Sequence, residues 1–257
     1  MRFVRIAGLA ACALAMSGFV SVAVHAQSED GKKPRMYTYY STWAIPRAKW
    51  GDMDKARGNN KLMDGGIGSG RLVGYGDDET VVHQEDGWTH DGWFSSLSMA
   101  GLLNTLNDAM QSGSTVTSVY QSATKHADQV LVSRYYNWKS GTWKGAYTRS
   151  AIYKLKDSAP NDAVDVLAKS FMVPMMEKLL AEGTIVEYEI DEQSVHTDSP
   201  SLFFLVYITP TAEGQDQVSK ALNEAVKANP LAGPTFGAWI DYAAHRDVLV
   251  RGNATYK

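Results

Sequence analysis

Five histidines follow residue 26, and their neighbours suggest chemistry. His126-Ala127-Asp128 and His245-Arg246-Asp247 each set a carboxylate two residues after an imidazole, on the same side of an extended chain. Such a carboxylate can orient a ring for acid–base work near neutral pH. It can equally anchor the entry to a strand, accepting from a ring nitrogen or from backbone amides. His83 and His196 each close a related stretch of sequence. The segment after His83 reads Gln-Glu-Asp-Gly-Trp-Thr-His90-Asp91-Gly-Trp93, a long acidic and aromatic hairpin of the kind that carries function on a rigid scaffold. The candidate acid–base residues are therefore His83, His90, His126 and Asp128.

Ligand contacts are expected from Tyr39, Trp43, Asp86, Trp93, His196 and His245. Aromatics are dense around Tyr37–Trp43 and Tyr135–Trp143, enough to pack a core or to line a pocket. Alternation along a strand puts Tyr37, Tyr39 and Trp43 on one face and Tyr40 on the other. His83, Glu85, Asp86, His90 and Asp91 include nitrogen and oxygen donors, but their spacing matches no established metal motif, so no metal is predicted and the cofactor is left unknown.

Several chemistries drop out. The single cysteine, Cys12, lies in the N-terminal apolar segment, which leaves no thiol after it for catalysis, clusters or disulfides. There is no Gly-x-Ser-x-Gly elbow, Walker loop or His-Glu-x-x-His helix. Gly65-Gly66-Ile67-Gly68-Ser69-Gly70 follows a predicted helix instead of opening one, so it reads as a helix stop and turn. A net charge of −3 disfavours a nucleic-acid partner.

Residues 1–26 begin Met-Arg-Phe-Val-Arg, continue apolar from Ile6 to Val24, and end in Val24-His25-Ala26 before a polar stretch. That is the pattern of a secretory signal peptide, giving a periplasmic or secreted protein with no membrane contact after cleavage. Leu9-Ala10-Ala11-Cys12 also fits a lipobox, which would leave the chain lipid-anchored through Cys12. Residues 27–35 are expected to be disordered.

The rest of the chain is a duplication. Gly70–His83 aligns with Gly183–His196 without a gap, with seven of fourteen positions identical. The two His-x-Asp stretches match in the same order. This divides the chain into repeat 1 at 36–138, a linker at 139–143 and repeat 2 at 144–257. Periodicity in repeat 1 predicts strands over 37–44, 71–82, 93–98 and 129–136, with helices over 49–62 and 100–110. Repeat 2 gives strands over 147–155, 184–189, 202–208 and 247–254, with helices over 161–182 and 212–228. Strand-helix-strand-strand-helix-strand is the ferredoxin-like βαββαβ order.

Two such copies in one chain resemble a fused version of the dimeric α+β barrel, with two sheets packed face to face. The resemblance rests on element order and duplication. It implies an α+β fold and a monomer with an internal pseudo-twofold. Proteins of this architecture include cofactor-independent oxygenases, haem-handling enzymes, isomerases and ligand-binding proteins, so fold alone assigns no activity. Three functions follow as expectations. The first is binding of a small apolar or aromatic ligand between the sheets; the others are a cofactor-poor oxygenase or isomerase with a histidine acid/base, and an envelope interaction scaffold. Because the His83–Trp93 hairpin is longer than its counterpart, the site is expected mainly on the first copy, with residues 84–92 replaceable.

Overall fold

Strand β1 (Met36–Ala44) is buried on both faces. Thr38, Tyr40 and Thr42 point one way, and Tyr37, Tyr39 and Trp43 the other, as the two-residue period requires. Seven more strands follow: β2 (Gly74–Thr80), β3 (His90–Ser96), β4 (Lys125–Trp138), β5 (Gly141–Lys154), β6 (Glu187–Gln193), β7 (Leu202–Thr209) and β8 (Arg246–Tyr256). In this computed structural model, which describes residues 33–56, 60–113, 117–197 and 201–257, every strand pairing is antiparallel. The strands close into a barrel in the order β1-β3-β2-β8-β5-β7-β6-β4. Closure leaves none of these strands with an unpaired edge.

The first four strands lie in the order β4-β1-β3-β2 and the last four in the order β8-β5-β7-β6. The halves join at the β2–β8 and β4–β6 seams. Between β4 and β5 only Lys139 and Ser140 intervene, so the segment expected as a linker at 139–143 is largely strand. The predicted signal segment 1–26, with Cys12, lies outside the described residues. Of the stretch 27–35, Pro34 is held: its carbonyl accepts from the Tyr136 hydroxyl at 2.6 Å.

Helices cover the outside of the wall. The first half carries α1 (Trp50–Ala56), α2 (Lys61–Ser69), α3 (Met99–Gln111) and α4 (Ser118–Gln121); the second carries α5 (Ala163–Leu167), α6 (Val173–Glu182), α7 (Ala212–Ala228) and α8 (Ala232–Trp239). Leu102 of α3 packs with Leu72 on Tyr75 and Phe94, the outward side chains of β2 and β3. Met176, Leu179 and Leu180 of α6 pack on Tyr188, Ile190 and Phe203. Burying each such aliphatic side chain stabilises the fold by about 1.5–3 kcal/mol. A π turn over Ala168–Met172 joins α5 to α6, beside Pro174, whose missing N–H cannot bond the carbonyl four residues back.

The duplication is visible at two turns. Gly70 caps α2 with φ 75° and Gly183 caps α6 with φ 82°, a left-handed conformation that a Cβ would disfavour. Several boundaries differ from expectation, three of them with consequences for the site. Helix α2 continues through the glycine-rich stretch to Ser69, because Gly66 lets the helix lie against Leu72, whose Cδ1 would be 2.7 Å from a Cβ there. Strand β3 begins at His90, so His90 and Asp91 belong to the wall and residues 84–92 are not a dispensable loop: Asp91 pairs with Asp78 and Thr42 across two ladders. Strand β6 runs over 187–193, beyond the predicted end at 189, and α4 and α8 had no sequence signal of their own.

Candidate functional site

The inward-facing residues of the barrel enclose a cavity of about 250 Å³. One side is apolar, formed by Ile152, Phe204, Val206, Ile208, Val248 and Val250. The other side is acidic. Asp78 of β2 and Asp91 of β3, directly opposite one another, line it together with Glu187, Glu189 and Asp191 of β6. These five carboxyls are each at most 4% exposed.

The ladder registers give the cavity a direction. Glu187, Ile208 and Tyr256 lie toward one end, and Thr42, Asp91 and Ala127 toward the other, where the exposed Trp88 also borders the space. Aromatic stacking closes the Glu187 end. Tyr136 stacks on Trp138 at 5.6 Å between ring centroids, Trp138 on Tyr256 at 5.8 Å, and Tyr256 lies 5.5 Å from Trp93. The Trp138 indole N–H donates to the carbonyl of Lys257 at 2.9 Å.

Hydrogen bonding separates the acids. Glu189 accepts from the Thr38 and Ser133 hydroxyls, each at 3.1 Å, and Ser133 also bonds Asp191. The Trp93 indole N–H donates to Asp78 at 3.2 Å. Glu187 is different: no hydroxyl, indole or amide donates to it, its one polar contact being the neighbouring acid Glu189, and the Tyr256 hydroxyl has no hydrogen-bond partner.

Burial pushes the Glu187 and Asp191 pKa values well above the ordinary carboxyl range, and neighbouring carboxylates push them further. Burial also raises the Glu189 pKa, while hydrogen bonds led by Ser133 and Thr38 pull it back. Glu189 is thus the member of the trio best able to hold negative charge. Tyr40 and Tyr256 stay neutral, their phenols raised first by burial and then by the acids around them, among which Asp78 acts on both.

The sequence-predicted residues fall in other places. Trp93 lines the cavity, as does Tyr40, whereas Tyr39 and Trp43 face outward into helix-packing clusters. On β1 the pocket wall is therefore Thr38, Tyr40 and Thr42, the strand face opposite to the one expected. None of the five histidines lines the cavity.

His126 bonds Ser41 at 2.9 Å and Asp128 at 3.0 Å through Nε2, and it stacks on Trp43 at 5.4 Å. His245 donates from Nδ1 to the carbonyl of Ile152 at 3.0 Å, lies 3.5 Å from Asp247, and stacks on Tyr153 at 4.6 Å. The two His-x-Asp pairs thus build the same outward anchor at the start of β4 and β8. His83 is exposed with its ring 4.7 Å from Trp50, Asp86 is an exposed turn residue with φ 56°, and His196 is exposed beyond β6. The histidines do not converge.

A second, smaller grouping lies outside the wall. Asp54 of α1, Glu79 of β2 and His90 of β3 each bring one ligand atom to within 4.8 Å of the others, a donor set that could hold a divalent ion. The fully buried His90 ring is oriented there by Thr89, 2.9 Å from Nδ1. His90 and Asp91 point to opposite sides of β3, and Glu85 and Asp86 are exposed, so the hairpin residues weighed as metal donors do not assemble.

The acids that the sequence reading missed carry a recognisable signal. Glu187, Glu189 and Asp191 alternate with Tyr188 and Ile190, so a strand continued past residue 189 has one acidic face and one apolar face. The apolar face packs under α6, which leaves the acids to point into the barrel.

No family model matches the sequence, and no curated protein matches it. Solved structures do resemble the fold. A "putative monooxygenase" from Lactobacillus acidophilus NCFM is 12% identical with a TM-score of 0.64, covering 87% of this chain and 96% of that one. An anthrone oxidase-like protein is 9% identical with a TM-score of 0.52, over 85% and 91% of the two chains. A mutant chlorite dismutase from Candidatus Nitrospira defluvii, in complex with cyanide, is 12% identical with a TM-score of 0.50, over 84% and 90%. These likenesses place the chain in the dimeric α+β barrel fold.

Haem, which some barrels of this architecture handle, does not fit this interior. Among the described lining residues there is no His, Cys, Met or Lys to serve as an axial ligand, leaving only tyrosine. An engineered cavity of 150 Å³ holds benzene, so about 250 Å³ accommodates roughly ten heavy atoms, far fewer than a porphyrin.

Proposed function

We propose that the protein binds one small organic molecule inside the barrel, apolar along its body and polar at the end that meets Glu187. The observation that carries this reading is the cavity itself. It pairs a continuous apolar wall with a buried carboxyl that only another acid contacts and an unpartnered phenol at its closed end. Buried polar groups are ordinarily satisfied, and one left open toward a space for about ten heavy atoms is a contact waiting for a ligand. We read the two halves as fused ferredoxin-like repeats, each supplying half of the wall. Closure within one chain supports a monomer, and the pattern of residues 1–26 supports export from the cytoplasm.

The test uses benzyl alcohol, an eight-heavy-atom probe, followed by calorimetry and thermal shift. One molecule per chain is expected to bind, and Val206→Trp, which fills the aliphatic side, is expected to abolish binding while circular dichroism stays native. Ser150→Leu provides a second filling variant on β5. Binding left intact in a folded filling variant, or no binding of any single-ring probe to the wild type, overturns the reading.

A second reading is oxygenation, favoured by the names of the similar structures, a monooxygenase and an oxidase-like protein, together with an acid–base cluster beside the cavity. An activated methylene would lose a proton to a carboxylate such as Glu189, and its carbanion would reduce O₂. One oxygen atom enters the carbon and the other leaves as water with the two hydrogens, R₂CH₂ + O₂ giving R₂CO + H₂O. In this reading the base is a carboxylate and not a histidine, and the cavity size selects one ring over three fused rings. Oxygen uptake with single-ring activated methylenes, lost in Glu189→Gln, is the expected result; no uptake with any of them removes this reading.

A further inference from the structure

We propose that the molecule held in the barrel is a cation, a primary amine on a small apolar body, whose ammonium group sits against Glu187 and the Tyr256 hydroxyl. The inference rests on the cavity-binding reading and adds the chemical class of the ligand.

Five carboxyls from β2, β3 and β6 border the cavity, and among the described lining residues there is no Lys, Arg or His to balance them. Apart from these acids, the titratable groups around them on the other strands are phenols: Tyr256 on β8 beside Glu187, Tyr136 on β4 near Glu189, and Tyr40 on β1 near Asp91 and Asp78. None of these can supply positive charge. A cluster of acids can be purely structural when hydroxyls and shared protons satisfy it, and that account covers Glu189, Asp191 and Asp78, which have Thr38, Ser133 and Trp93 as donors.

The structural account is weakest at Glu187. It is 1% exposed, borders the cavity, and has no contact with a donor other than a proton shared with Glu189, itself an acid. The Tyr256 hydroxyl, which is unpartnered, lies at the same end. An ammonium group brings three donors and a charge, so it can serve Glu187 and the neighbouring oxygen together. The apolar wall of Phe204, Val206 and Ile208 then takes the apolar body. Partnering a buried carboxylate with a cation favours its ionised form, so Glu187 gives up its proton as the amine enters. Binding of an amine therefore releases protons and tightens as pH rises, whereas a neutral ligand of the same shape does neither.

Benzylamine, benzyl alcohol and toluene differ mainly at the head group and serve as probes for the full-length protein. Calorimetry at pH 6 and pH 8, in buffers of different ionisation heat, reads affinity and proton release together. Benzylamine is expected to bind about tenfold or more tightly than benzyl alcohol at pH 8, in line with a charge-assisted bond, and to release protons. Glu187→Gln should bring that ratio close to one while leaving toluene affinity unchanged. Alcohol and toluene binding with no advantage for the amine overturns the cation inference and leaves the cavity reading standing. Failure of all three probes to bind overturns both. An amine advantage that survives Glu187→Gln without proton release overturns the assignment of Glu187 as the anchor.

Discussion

Gly76 and Glu189 occupy the same inward-facing position of β2 and β6, 113 residues apart, and their ladder partners explain the difference. Gly76 pairs with Trp93, whose ring would lie 2.6 Å from a Cβ at that position. Glu189 pairs with Val206, which leaves room for a carboxyl. The first half fills its share of the barrel with indole, and the second half gives that volume to an acid and to the cavity beside it. The asymmetry between the halves therefore lies inside the wall, on paired strand positions, and both halves line the cavity, where the sequence placed the site mainly on the first.

The raised pKa of Glu187 makes stability fall with pH. In the folded chain the group keeps its proton above the ordinary value of 4.5, whereas the unfolded chain gives it up there. The folded state thus binds more protons, and stability is full below about pH 4.5 and lost as pH rises toward the folded value, at up to about 1.4 kcal/mol per unit for this group. Urea unfolding at pH 5, 7 and 9 is expected to show a steeper decline for the wild type than for Glu187→Gln, with the variant more stable at pH 9. Parallel curves would show that Glu187 does not titrate differently on folding.

Gly252 sets the β2–β8 seam. A Cβ there would lie 1.8 Å from the backbone oxygen of Asp77 and 2.6 Å from Asp78 Oδ1. Backbone cannot swing aside as a long side chain does, so Gly252→Ala should cost about 3 kcal/mol or more. A drop of less than about 1 kcal/mol in denaturant titration would mean that the seam tolerates spreading.

How far the sequence reaches can be judged from particular strands. Alternation in β1 separates Tyr40 from Tyr39 and Trp43 correctly, but periodicity cannot say which face looks into a barrel when both faces are buried. The long apolar patterns of α3, α6 and α7 are legible because helices covering a wall need one apolar stripe. His90 and Asp91 read as loop because charge usually marks solvent, and only closure of the barrel turns those positions inward and outward. The same bias hid Glu187, Glu189 and Asp191. A buried acid contradicts composition statistics, so its place shows only once the tertiary structure is known.

The His-x-Asp anchors should matter for stability and not for the cavity. His126→Gln loses the stacking on Trp43 and the contact with Asp128, both outside the barrel wall and partly exposed. Each of His126→Gln and His245→Gln is expected to cost about 0.5–1.5 kcal/mol, lowering the melting temperature by a few degrees, with benzyl alcohol affinity unchanged. A large loss of probe affinity with an unchanged melting temperature would instead place these rings in the binding pathway.

Trp88 is placed to govern entry. It borders the cavity at the end away from Glu187, is 40% exposed, and sits in the connection between β2 and β3, just before Thr89 ties that connection to the carbonyl of Trp43 at 2.9 Å. A side chain this exposed contributes little to core packing, so Trp88→Ala should change stability by less than about 1 kcal/mol. It should nevertheless speed both probe association and dissociation, because the indole stands where a ligand must pass and the closed end of the cavity is blocked by the stacked Tyr136, Trp138 and Tyr256. Stopped-flow exchange of benzyl alcohol is the measurement. Similar acceleration of both rates with little change in affinity is the gate signature; a drop in affinity with an unchanged association rate would make Trp88 a wall of the bound state, and unchanged rates in both directions would put the entrance elsewhere on the barrel.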